Sequence, residues 1–241
     1  MEKKRINKYI ADSGFCSRRR ADKLIEEGKV TVNGKRAGLG DQVSEHDTVM
    51  ADGSLIEKRE HDEFIAFNKP LGVISTADEN STDTVFDYLP PKLGRLFYIG
   101  RLDVKSTGLM IFTNNGDVAN EIAHARGDHE KEYAVTVDKK ITRKFLDLMR
   151  SGVLIEGGMT QPARAKRVSD TRFELVITEG RNRQIRKMCE ALGYRVKKLK
   201  RTRVGSVKLG DLGEGNWRQL TKKERRNLIR PAGSSHADPR G

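Results

Sequence analysis

The segment GRLDVKSTGL, Gly100 to Leu109, holds one carboxylate, Asp103, between an apolar approach (Leu96 to Ile99) and a strand-like run (Leu109 to Phe112). No histidine, cysteine or second acid lies close by in sequence. Enzymes that hydrolyse glycosidic bonds use two carboxylates set about 5 to 9.5 Å apart, and metal sites need three or four converging ligands. A lone carboxylate has a narrower repertoire: it attacks carbon as a nucleophile, or it takes a proton as a base. Both roles require the charged form, which a site that excludes water disfavours, so a cation must stand near it. In RNRQIRKMCEALG, Ile185, Met188, Cys189 and Leu192 form the apolar stripe of a helix ended by Gly193, and Arg186 lies at the edge of that stripe, placed to reach inward. Asp117 follows Asn114-Asn115-Gly116 and reads as a helix N-cap rather than a second acid.

No metal is expected. Cys16 and Cys189 are 173 positions apart without CxxC partners, and His124 and His129 lack a third donor at ligand spacing. Both cysteines read as small buried apolar residues.

The formal charge is +13. Residues 1 to 36 hold eleven Lys or Arg against five acids, and residues 181 to 203 hold ten against one, so the other 182 residues sum to −2. Two concentrated basic regions on an otherwise balanced chain are the pattern of a protein that neutralises phosphates. No run approaches the roughly 18 apolar residues of a membrane span, and MEKKRINKYIADSG has no apolar signal core. A cytoplasmic, monomeric protein with a nucleic-acid partner and no membrane association is expected.

The elements that must carry these residues fall into two groups. Ile6, Tyr9 and Ile10 give one helical stripe ending at Gly14. Ser17 caps a second helix, with stripe Ala21, Leu24 and Ile25, ending at Gly28. Val30 and Val32 then alternate into Asn33-Gly34, a two-residue hairpin signal. The charged, aperiodic EKREHDE, Glu57 to Glu63, separates this module from the apolar FIAFNKP. Beyond it, strand-like runs (GVIST, RLFYIG, LMIFT, EYAVTV, RFELVIT) mix with helical ones. Among the latter, Phe145, Leu146, Leu148 and Met149 lie between Thr142 and Gly152, and Thr221 with Glu224 forms a capping box. Mixed order without strict alternation predicts an α+β domain on a mixed, largely antiparallel sheet. The expected organisation is a small helices-plus-hairpin domain over 1–60, a catalytic domain over 61–230 and a flexible tail over 231–241.

RINKYIADSGFCSRRRADKLIEEGKVTVNGKRA resembles the S4 RNA-binding domain in its serine-arginine turn and its G-x-V-x-V-N-G hairpin. The resemblance implies docking on structured RNA through the second helix and the turn before it. NKPLGVIST, GRLDVKSTGL and EGRNRQIRKMCEALGY, with KEY at Lys131 to Tyr133, resemble the motifs of the pseudouridine synthases, in the RsuA-like branch that joins an S4 domain to the catalytic domain and acts on ribosomal RNA. That resemblance implies isomerisation of a uridine without metal or cofactor. Asp103 would be the family's single aspartate, acting as nucleophile or base. Arg186 would be its ion-pair partner, and Tyr133, by alternation alone an ordinary strand aromatic, would pack on the uracil.

A base inside folded RNA has to be flipped out to be reached. The residues expected to face RNA are Arg5, Lys8, Ser17, Arg18, Arg19, Arg20 and Lys23 in the first module. In the second they are Arg101, Arg181, Arg183, Lys187, Lys197, Lys198 and Arg201. Lys69, Pro70 and Gly72 are expected to shape a turn near the pocket. The resemblance favours 23S ribosomal RNA as substrate. Small-subunit RNA, a transfer RNA stem loop, and a noncatalytic RNA-binding or ribosome-assembly role are the competing readings.

Overall fold

A computed structural model describes residues 3–57, 61–78, 80–124 and 129–229. The stretch 231–241, expected to be a flexible tail, lies outside them. By compactness the chain divides into two units. The first comprises residues 1–63 with 90–97 and 113–117, and the second comprises 64–89, 98–112 and 118–241.

In the first unit, helices Ile6–Asp12 and Arg18–Glu26 bury Ile6, Ile10, Ala21, Leu24 and Ile25 in one core with Val30, Val43 and Val49. Ser17 starts the second helix by accepting a hydrogen bond from the Arg20 amide at 3.0 Å, a cap worth roughly 1 kcal/mol. Asn33 and Gly34 both take positive φ, +50° and +79°, as a tight hairpin turn needs. They join Val30–Val32 to Lys35–Arg36 in a four-stranded sheet completed by Val49–Ala51 and Ser54–Leu55.

The second unit is built on a mixed sheet with nine strands among the described residues. Its order is Arg164–Arg167, Arg172–Ile177, Lys131–Val137, Val196–Val204, Thr107–Thr113, Phe64–Lys69 and Trp217–Gln219, with Phe97–Ile99 beside Thr107–Thr113 and Val207–Lys208 beside Val196–Val204. Lys131–Val137 is antiparallel to both of its neighbours, whereas Val196–Val204 and Thr107–Thr113 run parallel. Phe64–Lys69 and Leu109–Phe112 are buried throughout, which explains why they read as continuous apolar runs rather than alternating ones. Helix Arg143–Ser151 packs Phe145 edge-on to Phe173, with ring centroids 5.3 Å apart, and Thr142 caps it through the Phe145 amide. The Thr221–Glu224 capping box is formed at helix Lys222–Ile229.

Two expectations change. GVIST, Gly72 to Thr76, is not a strand. Gly72 bends the chain at φ +91°, Ile74 makes one isolated bridge to Thr84, and the Ser75 hydroxyl donates to the Leu102 carbonyl at 2.8 Å instead of leaving its strand face free. Asp117 is not the cap of helix Gly116–His124. The Asn115 side chain accepts from the Asp117 amide, which frees the Asp117 carboxylate to pair with Lys8 within the first unit. Among the described residues no helix is long and apolar enough to cross a membrane.

Candidate active site

Asp103 sits in a turn held from several sides. Gly100, at φ +78°, leads the chain out of the short Phe97–Ile99 strand, a conformation costly for other residues. The Ser106 amide then donates to the Asp103 carbonyl at 2.9 Å and closes the turn. At Gly108 the backbone runs against Val196–Val204 so closely that a Cβ would lie 2.3 Å from the Arg201 carbonyl oxygen, so only glycine fits. Leu102 is buried next to Asp103, whereas Asp103 itself is half-buried. Its carboxylate makes no hydrogen bond or ion pair with any described residue.

Cations approach this turn without touching that carboxylate. Lys69 is fully buried, and its ammonium donates to the Pro70 carbonyl at 2.8 Å and the Ser106 carbonyl at 2.9 Å. Burial pushes its pKa down to about 8, against which the Asp103 charge acts. Lys69 therefore does more than shape a turn: it ties the end of the Phe64–Lys69 strand to the turn bearing Asp103. Arg186 was expected to form an ion pair with Asp103, and among the described residues no such pair lies within 4.0 Å. Its guanidinium instead donates to the Lys105 carbonyl, to the Ser106 hydroxyl at 3.4 Å and to the Val196 carbonyl at 3.4 Å. Its Nε is buried without a partner. Desolvation, followed by the neighbouring Arg183 charge, pulls its pKa down, and the Asp103 charge acts the other way. The contact between Arg186 and Asp103 is thus through space: the arginine fixes the turn by its main chain and lends a field to the carboxylate.

Tyr133 lies on the Lys131–Val137 strand, opposite Arg201 at a break in regular pairing between Glu132 and Tyr133. It is 7% exposed. Tyr133 and Asp103 line the same cavity, of about 770 Å³, together with Arg101, Gln161, Ile177 and Leu199. The loop leading into helix Gln184–Ala191 forms another wall. There the Gln184 side chain accepts from the Arg181 amide at 3.0 Å and donates to Glu179 at 2.7 Å. Arg183 at this wall adopts a left-handed backbone, φ +52° and ψ +30°, a conformation that costs a side-chain-bearing residue about 1 to 2 kcal/mol.

The residues expected to face RNA divide by environment. Arg5, Arg18, Arg19, Arg20, Lys23, Arg101, Arg183, Lys197 and Lys198 are exposed. Ser17 is occupied as a helix cap, and Lys8 is shared between Asp12 and Asp117. Lys187 pairs with Glu156 at 2.7 Å. Arg181 pairs with Glu179 and donates to the carbonyls of Gly157, Gly158 and Met159, pinning a neighbouring hairpin. Arg201 is only 2% exposed and turned onto main-chain carbonyls. Ser106 and Gln184, which organise the turn and the wall, do not stand out in the sequence. Short polar residues inside a motif give no periodic signal of burial.

The RNA pseudouridylate synthase family model matches residues 63–191, and the S4 domain model matches residues 4–49. The chain is a member of the RNA pseudouridine synthase family. It is 48% identical over 240 residues to the dual-specificity RNA pseudouridine synthase RluF of Salmonella typhi, a match covering 98% of this chain and 83% of that one. It is 39% identical over 232 residues to the ribosomal large subunit pseudouridine synthase B of Bacillus subtilis, covering 93% and 95%. A solved pseudouridylate synthase superposes with a TM-score of 0.69 at 31% identity, covering 93% of this chain and 99% of that chain. The enzyme is accordingly an isomerase acting on uridine in RNA, with an N-terminal S4 domain ahead of its catalytic domain.

Proposed function

We propose that the enzyme isomerises a specific uridine of 23S ribosomal RNA, with Asp103 as the group that acts at the sugar and Tyr133 as the face that holds the flipped base. The observation that carries this reading is the half-buried, unpartnered Asp103 carboxylate on the wall of a cavity that also presents Tyr133. A cavity near 770 Å³ falls in the range of ligand sites and accommodates a nucleotide. In the reaction the N1 to C1′ bond breaks, the uracil turns while held, a C5 to C1′ bond forms, and the proton leaving C5 is balanced by one gained at N1. Nothing is added or lost, and a single ionised carboxylate is sufficient as nucleophile or base. Buried Lys69 and half-buried Arg186 place positive charge beside the turn. The exposed Arg18, Arg19, Arg20 and Lys23 suit phosphate contact by the S4 domain, and exposed Arg101 suits the flanking phosphate or the vacated stack. The protein would work in the cytoplasm as a monomer.

A large-subunit substrate is favoured by the name of the Bacillus subtilis relative, and a second RNA class by the words "dual-specificity" in that of the Salmonella relative. Small-subunit RNA and a transfer RNA stem loop are the candidates for that second class. The test is to treat 23S, 16S and transfer RNA lacking the modification with purified enzyme and analyse the nucleosides. Pseudouridine of unchanged mass in 23S RNA is the expected result. Free uracil would convert the reading to hydrolysis, and no product from any RNA would leave a binding role.

A further inference from the structure

Arg201 lies in the more basic of the two charged regions, yet its surroundings are those of a structural clamp on the reacting group. On Val196–Val204 it faces Tyr133 across the antiparallel pairing and Gly108 across the parallel pairing. The parallel pairing covers only two positions, Lys200 with Thr107 and Arg201 with Gly108. Where it stops, the guanidinium takes over. Its Nε donates to the Leu109 carbonyl at 2.7 Å, and its Nη1 reaches the Arg101 carbonyl at 3.4 Å. Those two carbonyls lie on either side of Asp103 in sequence, so one planar fork spans the base of the turn.

No carboxylate lies within 4.0 Å of Arg201 among the described residues, and its Nη2 is buried without a partner. A buried, unpaired guanidinium costs stability that an apolar side chain of similar volume would not, so folding alone gives little reason for it. Phosphate binding is a poor reason too, because only 2% of the residue reaches solvent.

We infer that Arg201 is a positioning residue for the reaction, fixing the backbone on both sides of Asp103 so that the carboxylate meets the ribose of the flipped nucleotide. The inference rests on Asp103 being the reacting carboxylate. Arginine suits the task because its planar guanidinium holds its donors in a fixed fork that spans two separated acceptors, whereas a lysine ammonium is a compact point charge on a flexible stem.

The test compares Arg201→Met, Arg201→Lys and Asp103→Asn in the full-length enzyme with substrate RNA. Melting temperature, RNA Kd with its salt dependence, and single-turnover rate at saturating RNA are measured for each. Arg201→Met should fold, hold Kd within about twofold and keep the salt slope, since no phosphate contact is lost. Its rate at saturation should fall by about 100-fold, the scale of a misplacement near 1 Å. Arg201→Lys should recover part of that rate without changing Kd. A normal rate at saturation with weakened Kd and a salt slope reduced by about 0.7 to 0.9 would make Arg201 a phosphate contact and overturn the inference. Should Arg201→Met fail to fold, the lysine variant decides: a wild-type rate overturns the claim, and a reduced rate at unchanged Kd upholds it. If Asp103→Asn keeps its turnover, the reading of the site falls and this inference with it. If Asp103→Asn is inactive while both Arg201 variants turn over normally, only the positioning claim falls.

Discussion

The two most basic regions of the chain use the same residue types in opposite ways. On helix Arg18–Glu26 the three consecutive arginines stand exposed, because the buried stripe of that helix is Ala21, Leu24 and Ile25. Within strand Val196–Val204, Arg201 falls on the side of buried Leu199 and Lys198 on the exposed side, while Lys197, at a break in regular pairing with Lys131–Val137, also stays in solvent. Charge density is visible in both stretches, but the period of the element and the breaks in strand pairing decide which charges meet water. A cation in solvent serves affinity and is screened by salt. A cation withdrawn from water, such as Lys69, Arg186 or Arg201, acts on backbone carbonyls and on the field around one carboxylate.

The contrast is tested most strongly at Lys69. Replacing it by methionine removes the hydrogen bonds to the Pro70 and Ser106 carbonyls, the second of which ties down the Asp103 turn, together with the nearby positive charge, and the single-turnover rate is expected to fall by about 100-fold with RNA affinity unchanged. In the wild type, burial holds the Lys69 pKa down to about 8 instead of its ordinary 10.5. The ammonium is intact below that pH and is lost as pH rises through it, so the rate should decline above about 8. The unfolded chain binds the proton up to 10.5, so this residue's contribution to stability increases with pH across the same window. Activity and stability should therefore diverge between pH 8 and 10.5. A rate at saturating RNA that stays flat from about pH 6 to 9.5 would remove the Lys69 charge from the account.

A smaller effect, on affinity alone, is expected in the other region. Changing Arg18, Arg19 and Arg20 to glutamate should weaken RNA binding by about tenfold or more at moderate salt, each lost phosphate contact lowering the log-log salt slope by about 0.7 to 0.9. Turnover at saturating RNA should stay within about twofold. Unchanged binding with reduced turnover would reverse the roles given to the two regions.

Much of this architecture is legible in the sequence. The Asn33-Gly34 hairpin, the Ser17 cap and the apolar Phe64–Lys69 and Leu109–Phe112 strands are local matters of turn chemistry and hydrophobic pattern. The Asp103 turn was legible as a motif. What escaped depends on partners distant in sequence. The helical stripe marks Arg186 as inward-reaching, but its donation to Lys105 and Ser106, rather than to the Asp103 carboxylate, is set by a turn 81 and 80 positions away. Asp117 looked like a cap because the competing Asn115 side chain and the distant Lys8 carry no joint signal in one dimension. The buried position of Arg201 is only partly readable: it shares the parity of Leu199, but so does exposed Lys197, and the break in pairing beside Lys197 leaves no mark in the sequence. The density of charge around it masked that parity.

The central claim is that one carboxylate carries the chemistry while the surrounding cations hold the turn that presents it. Asp103→Asn preserves the size of the side chain and removes its charge and basicity. Measured with RNA above saturation in a single turnover, this variant is expected to form pseudouridine at least about 10³-fold more slowly than the wild type, with Kd within about twofold. An Asp103→Asn enzyme that binds normally and retains a tenth or more of the wild-type rate would contradict the account.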